Sequence, residues 1–139
     1  MHRRPLGRGR RLAALAAVII LVGCVLPWWQ VGGGSGLPAT SENAFSGSGI
    51  LVVFAALGTI ALVTLPYASD RPVSIDRTLA YLVLLVIGWL GLLFRLISLA
   101  AVNVQAIFPD RGPGLWIAAL GLILFSRAAY DIAREPAYR

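Results

Sequence analysis

Four long apolar blocks constrain this sequence more than any other feature. They lie at residues 12–29, 49–67, 79–102 and 113–130, and all six acidic residues fall outside them. A helix needs about 20 mostly apolar residues to cross a hydrocarbon core about 30 Å thick. We therefore predict an all-α fold, a four-helix transmembrane bundle that forms a single integral membrane domain over residues 1–139.

The composition supports the same class of protein. Hydrophobic residues make up 58% of the chain and charged residues 13%, whereas soluble domains carry about 45–50% apolar and about 25% charged residues. Disorder requires low hydrophobicity and high net charge, so this composition excludes it. We expect a multi-pass membrane protein whose first partners are membrane lipids.

The basic residues, all of them Arg, predict how the spans are oriented. With four spans, ten of the twelve Arg lie on one side of the membrane, and the loops of the other side hold only Arg111. The ten are Arg3, Arg4, Arg8, Arg10, Arg11, Arg71, Arg77, Arg127, Arg134 and Arg139. Because cytoplasmic segments carry the excess of positive charge, we expect cytoplasmic N- and C-termini. Beside a first span, the basic tail predicts contact with anionic lipid and not with nucleic acid.

Three Trp residues fall where the predicted spans meet the outer side. Trp28 and Trp29 end the first span, and Trp116 lies near the start of the fourth. Trp is enriched at membrane–water interfaces because its ring is apolar and its N–H is polar. We therefore predict that these three residues are interface anchors.

Small residues recur on one face of each of the last two spans. Span four carries Gly114, Ala118 and Gly121 at spacings of four and three, and span three carries Gly88 and Gly91. Small residues let helix backbones approach closely in lipid, so these faces are predicted to pack inside the bundle. The alternative is that they form a contact within a homo-oligomer or a larger membrane complex.

Spans two and four share a pattern that suggests an internal repeat. Residues 47–50 and 112–115 both read Gly-x-Gly-aliphatic, and residues 55–58 and 118–121 both read Ala-Ala-Leu-Gly. A true repeat would mean two duplicated helical hairpins. The alternative is that membrane helices reuse Ala, Gly and Leu often enough to match by chance.

Arg95 is the one basic residue whose position the topology does not explain. It lies in the outer third of span three, on the same helical face as the two glycines of that span. A charge facing inward needs an acceptor, and the candidates are the side chains of Glu42, Asp110 and Ser98, or freed backbone carbonyls near Gly91. Two other interpretations stay open, a snorkelling side chain at the interface and a site for a ligand or lipid headgroup.

Two further residues in the spans have an alternative to simple packing. Residues 21–24 read Leu-Val-Gly-Cys and resemble a bacterial lipobox, in which Cys24 would be acylated and residues 1–23 removed. The apolar residues that follow at once, 25–29, argue against this modification. Trp89 lies near mid-membrane, where it either packs or borders a quinone-like ligand.

The motif Pro27-Trp28-Trp29 precedes a Gly-rich outer loop, and together with the topology this resembles a loose group of uncharacterised small bacterial four-span membrane proteins. The resemblance implies a bacterial plasma membrane and no particular activity. Its residues thus place the chain among membrane proteins without indicating a substrate.

The side chains available for chemistry are few. One Cys and one His exclude an internal disulfide and a zinc or haem site of the usual kind. We predict no enzyme activity and no cofactor, and a role as an accessory or scaffolding subunit. One alternative is a small transporter or channel subunit with Arg95 lining the path. Another is a subunit of a membrane enzyme that binds a lipophilic cofactor.

Overall fold

The computed structural model describes residues 7–68 and 76–135, and most of these residues are helical. Four α-helices follow one another along the chain: α1 (Arg8–Val25), α2 (Ile50–Ala68), α3 (Arg77–Val102) and α4 (Pro113–Arg134). Short 3-10 turns occur at Gly47–Gly49, before α2, and at Val104–Ile107, after α3.

A small β-hairpin lies between α1 and α2. Its strands, β1 (Trp29–Val31) and β2 (Thr40–Glu42), are antiparallel, and Trp29 is paired with Glu42. The prediction of an all-α fold is therefore wrong for the first outer loop. The signal was present in the sequence, because short runs containing Trp, Val and Thr flank a Gly-rich turn.

Helix α1 ends at Val25, four residues earlier than the predicted span. Pro27 has no N–H to continue the ladder, and it disfavours helical backbone at the residue before it. Leu26 accordingly has φ −71° and ψ 156°, which is extended backbone. The apolar run does continue to Trp29, but its last residues belong to the loop.

Three helical segments among the described residues are long and apolar enough to cross a membrane, which indicates a membrane protein. They are Gly47–Ala68, Arg77–Val102 and Pro113–Arg134. Helix α1 is not among them, because Arg8, Arg10 and Arg11 occupy its first turn. The remaining helical part, from Leu12 to Val25, covers about 20 Å at about 1.5 Å per residue.

The closest packing joins α1 and α4, which run antiparallel. A Cβ added at Gly23 would lie 2.5 Å from the Ala118 amide nitrogen, and one at Gly9 would lie 2.8 Å from the Ile132 side chain. Such distances leave no room for a side chain, so the two backbones are in direct contact. The predicted small-residue face of span four, including Ala118, is buried in this seam.

Helix α3 packs on α2 and α4 through its own glycines. A Cβ at Gly91 would lie 2.7 Å from the Leu51 side chain, and one at Gly88 would lie 2.7 Å from that of Leu122. Both predicted small-residue faces thus lie inside this chain. Whether spans two and four descend from a repeat stays a prediction.

These contacts give the protein two ends. The end that carries the hairpin and the two 3-10 turns is called the loop end below. The opposite end is called the arginine end, and it carries Arg8, Arg10, Arg11, Arg77, Arg127 and Arg134. Arg95 lies in α3 near the loop end.

Candidate functional site

The loop end is built on the last turn of α1, where the carbonyl groups of Gly23 and Cys24 have no helical partner. Pro27 cannot donate to the Gly23 carbonyl, and the Trp28 indole Nε1 donates to it instead at 2.9 Å. The next carbonyl, that of Cys24, accepts from the Ala44 amide at 3.2 Å. Since unpaired backbone groups are costly away from water, these bonds fix the loop between α1 and α2 onto the end of α1.

The hairpin then places Glu42 beside α3. The Trp28 amide donates to the Glu42 carbonyl at 2.8 Å, which continues the pairing of β1 and β2 towards α1. Three glycines and Ser35 in the turn between the strands have positive φ, a conformation that the Gly-rich sequence allows. The Gly-rich segment between β1 and β2 is therefore an ordered turn that positions the Glu42 carboxylate.

Arg95, Glu42 and Trp29 form a polar cluster at the loop end. The Arg95 Nη2 lies 2.8 Å from the Glu42 Oε2, and the Trp29 Nε1 donates to the same oxygen at 3.2 Å. The Arg95 side chain is 13% exposed and that of Glu42 is 43% exposed. Arg95 is therefore paired, and its charge is compensated where α3 approaches the hairpin.

Gly47 makes room for the Arg95 guanidinium. A Cβ at Gly47 would lie 2.8 Å from the Arg95 Nη1, and its φ of +63° also favours glycine. Within the described part of the chain, the buried Arg95 Nε has no hydrogen-bond partner. The guanidinium is thus held by one carboxylate oxygen and retains an unused donor.

The other two predicted side-chain acceptors lie elsewhere. Ser98 donates its hydroxyl to the Phe94 carbonyl at 2.8 Å, within its own helix. Asp110 is exposed in the turn before α4, where it lines a shallow hollow with Gln105 and Arg111. Of the three side-chain candidates, the structure brings only Glu42 to Arg95.

Sequence reasoning named Glu42 but missed the contribution of Trp29. Because the two residues are partners across the hairpin, their side chains lie on the same face of the sheet. The pairing of 29 with 42 follows once the Gly-rich segment is recognised as a turn between two strands. No sequence pattern indicates that Gly47 makes room for Arg95, since this depends on the position of the Arg95 guanidinium in the folded chain.

The three Trp residues named as interface anchors differ in exposure. Trp28 is completely buried and packs in the core, unlike an interface residue that faces lipid. Trp29 is partly exposed, and Trp116 is exposed while its Nε1 donates to the Ile107 carbonyl at 2.7 Å. Trp28 differs because its indole closes the end of α1.

Cys24 and Trp89 both have structural surroundings. Cys24 is fully buried in the core, so an acyl chain on it would require α1 to leave that packing. The Trp89 Nε1 donates to the Ser126 hydroxyl at 3.1 Å, and this hydroxyl donates to the Leu122 carbonyl at 2.9 Å. The indole of Trp89 therefore joins α3 to α4.

The arginine end holds the remaining charged contacts. Arg127 Nε lies 3.4 Å from the Asp131 carboxylate, one helical turn later. The guanidinium of Arg134 lies over the Tyr130 ring at 4.3 Å from its centroid. Most of the basic side chains here are exposed, which suits contact with anionic surfaces.

Over residues 7–68 and 76–135, no group of three or more His, Cys, Asp or Glu side chains is placed to hold a metal ion. Comparisons with family models, with curated proteins and with solved structures give no match for this chain. Its function is therefore argued from the polar cluster, the helix faces and the distribution of charge.

Proposed function

We propose that this chain is a four-span membrane protein of a bacterial plasma membrane that serves as a non-enzymatic accessory or scaffolding subunit. Its four helices form a transmembrane bundle, with both termini in the cytoplasm and the loop end outside. The subunit acts through contacts of its helices with other membrane helices, either of a second copy or of a larger complex.

The outward face of α1 supports its assignment as the first span. Leu15, Val18, Val22 and Val25 are all exposed, and all are apolar. A helix whose buried and exposed faces are both apolar suits a membrane interior. The apolar loop residues up to Trp29 lengthen the segment, and the three Arg of its first turn lie at the arginine end.

The orientation rests on the difference in charge between the ends. The arginine end carries six of the described Arg residues, whereas the loop end has the neutral pair Arg95–Glu42 and the adjacent residues Asp110 and Arg111. The positive-inside rule then assigns the arginine end to the cytoplasm. The basic tail before α1 adds to the same side in the sequence.

The exposure of α3 is the observation that carries the scaffolding role. Only 17% of the most apolar 18-residue stretch of α3 is buried inside the chain. The corresponding share is 39% for the span that contains α2 and 44% for α4. The exposed apolar residues of α3 recur at alternating spacings of four and three, as in a helix–helix seam. This surface, called the α3 seam below, consists of Leu79, Val83, Val86, Leu90, Leu93 and Ile97.

Purification in a mild detergent tests this role. We expect the chain to elute as a stoichiometric complex. We expect Leu90→Trp to break that complex, because the larger side chain would prevent close packing of a partner helix on the α3 seam. The matched control is Leu120→Trp, at an exposed apolar position of α4. A monomer alone, or a complex lost only with the α4 control, would contradict the proposal.

The unused donor of Arg95 favours a second candidate function. The buried Arg95 Nε has no partner among residues 7–68 and 76–135, so it is free to meet an anion that passes the polar cluster, as in a small transporter or channel subunit. An anion flux in liposomes that Arg95→Leu abolishes would support this function. A flux that is absent, or unchanged in the variant, would exclude Arg95 from such a path.

A further inference from the structure

A cleft of about 240 Å³ lies between the end of α1 and the hairpin. Val25 and Pro27 form its apolar side, and the polar side comes from the first outer loop. The polar lining residues are Ser41, Glu42, Asn43 and Ser46. The cleft therefore has an apolar side at the end of α1 and a polar side formed by hydroxyl, amide and carboxylate residues of the loop end.

Glu42 has capacity left for a ligand. Among the described residues, its side-chain bonds to Arg95 and Trp29 both involve Oε2, and neither involves Oε1. A carboxylate can accept at both oxygens, and this side chain is 43% exposed. One oxygen thus anchors the hairpin and the other is available to the cleft.

The charge balance of the polar cluster selects the kind of ligand. Arg95 and Glu42 already neutralise one another, so a lone cation would meet the guanidinium and a lone anion would meet the carboxylate. A zwitterionic group brings both signs and leaves the site neutral. Its cationic part would bond Glu42, and its anionic part would accept hydrogen bonds from the hydroxyl and amide groups of the residues that line the cleft.

We propose that this cleft binds the headgroup of a phospholipid whose zwitterion carries a primary ammonium, as in phosphatidylethanolamine. The inference rests on the proposed membrane location. A primary ammonium has N–H donors for the Glu42 carboxylate and for the hydroxyl of Ser46, whereas a trimethylammonium has none. Selectivity for ethanolamine over choline is the expected signature.

The position of the cleft suits an acyl chain as well as a headgroup. Val25 borders the cleft, and Val22 and Val18 continue from it along the exposed face of α1. These residues are one turn apart on the helix, so they form a continuous apolar track. A lipid with its headgroup in the cleft would lay a chain along this track.

Lipid titration of the purified, delipidated full-length chain in detergent tests the site. Short-chain phosphatidylethanolamine, phosphatidylcholine and phosphatidylglycerol are added separately, and binding is followed by native mass spectrometry and by Trp fluorescence. We expect phosphatidylethanolamine to bind about tenfold more tightly than phosphatidylcholine, as one charge-assisted hydrogen bond allows. Equal binding of the two lipids would overturn the proposal.

Two variants and a control locate the site. Glu42→Gln should abolish the selectivity by removing the carboxylate. Ser46→Phe should abolish it by filling the cleft, and Ser46 makes no side-chain cap bond to the following turn. Gln105→Phe, on the other outer loop, should leave it intact. Selectivity that survives Ser46→Phe would place the lipid elsewhere and refute the site.

A flotation assay separates this inference from the function on which it rests. The chain is mixed with liposomes of phosphatidylcholine alone, which supply no primary ammonium. Flotation without any preference for phosphatidylethanolamine would refute the headgroup site and leave the membrane role standing. Failure to float would refute both.

Discussion

Replacing Glu42 by Gln should destabilise this protein more than replacing Arg95 by Leu. The two partners of the ion pair differ in exposure: the Arg95 side chain is 13% exposed and the Glu42 side chain is 43% exposed. When Arg95 is removed, the Glu42 carboxylate can regain water. When the carboxylate charge is removed, the Arg95 guanidinium stays buried without a counter-charge.

The structure sets the size of this asymmetry. Breaking a buried pair by removing one partner costs about 3–5 kcal/mol, and screening at the half-exposed Glu42 lowers that figure. We expect Glu42→Gln to lower the free energy of unfolding by about 2 kcal/mol, which is in the range of a hydrogen bond to a charged group. Arg95→Leu should lie within about 1 kcal/mol of the natural chain, because it also removes a charge that membrane insertion disfavours.

Unfolding in mixed detergent micelles measures these differences. The two single variants and the double variant form a double-mutant cycle. We expect the double variant to be about as stable as Arg95→Leu, and the coupling energy between the two positions to reach about 1–2 kcal/mol. Trp29→Phe serves as a control that removes only the 3.2 Å indole bond to Glu42. Equal losses of stability in both single variants, or a coupling energy near zero, would show that the exposure of the two partners does not set the cost of breaking the pair.

Three further predictions concern the loop end and the α1–α4 seam. Gly114→Ala should lower the free energy of unfolding by about 1–3 kcal/mol through overpacking, because the added Cβ would lie 2.5 Å from two carbonyl oxygens. Gly34 has open space around it, so Gly34→Ala should be neutral in the same unfolding assay. Trp28→Phe should cost about 1–3 kcal/mol because it leaves the Gly23 carbonyl without its partner, and an unchanged midpoint would contradict this. Cys24 is buried, so the intact mass should show no lipid on it, and maleimide should react with it only after unfolding. An acylated chain would contradict the packing of α1.

Helix positions were predictable from the sequence because lipid imposes one simple requirement. A span must be long, apolar and satisfied in its backbone, so the last three apolar blocks coincide with α2, α3 and α4 to within a few residues. The end of α1 depended on finer chemistry. Pro27 stops the ladder there, and apolar character alone cannot distinguish a helical residue from an apolar loop residue.

The candidate site was predictable only in part, for a different reason. A charge in an apolar helix requires an acceptor, so Arg95 pointed to a short set of acidic and hydroxyl side chains. Choosing Glu42 from that set required the hairpin register, which places residue 42 beside residue 29. The place of Gly47 beside Arg95, and the lack of a partner for the Arg95 Nε in the described part of the chain, depend on the approach of three separate segments. No local pattern encodes that approach.

The four-span topology requires that α1 crosses the membrane, so that the loop end and the arginine end lie on opposite sides. Single Cys residues in a Cys24→Ala background test it by labelling intact cells with a membrane-impermeant maleimide. Both Arg8→Cys, at the start of α1, and Ser35→Cys, at the hairpin turn, occupy exposed positions. We expect Ser35→Cys to be labelled in intact cells and Arg8→Cys to be labelled only after permeabilisation. Labelling of both from the same side would show that α1 does not cross, and would contradict the four-span topology.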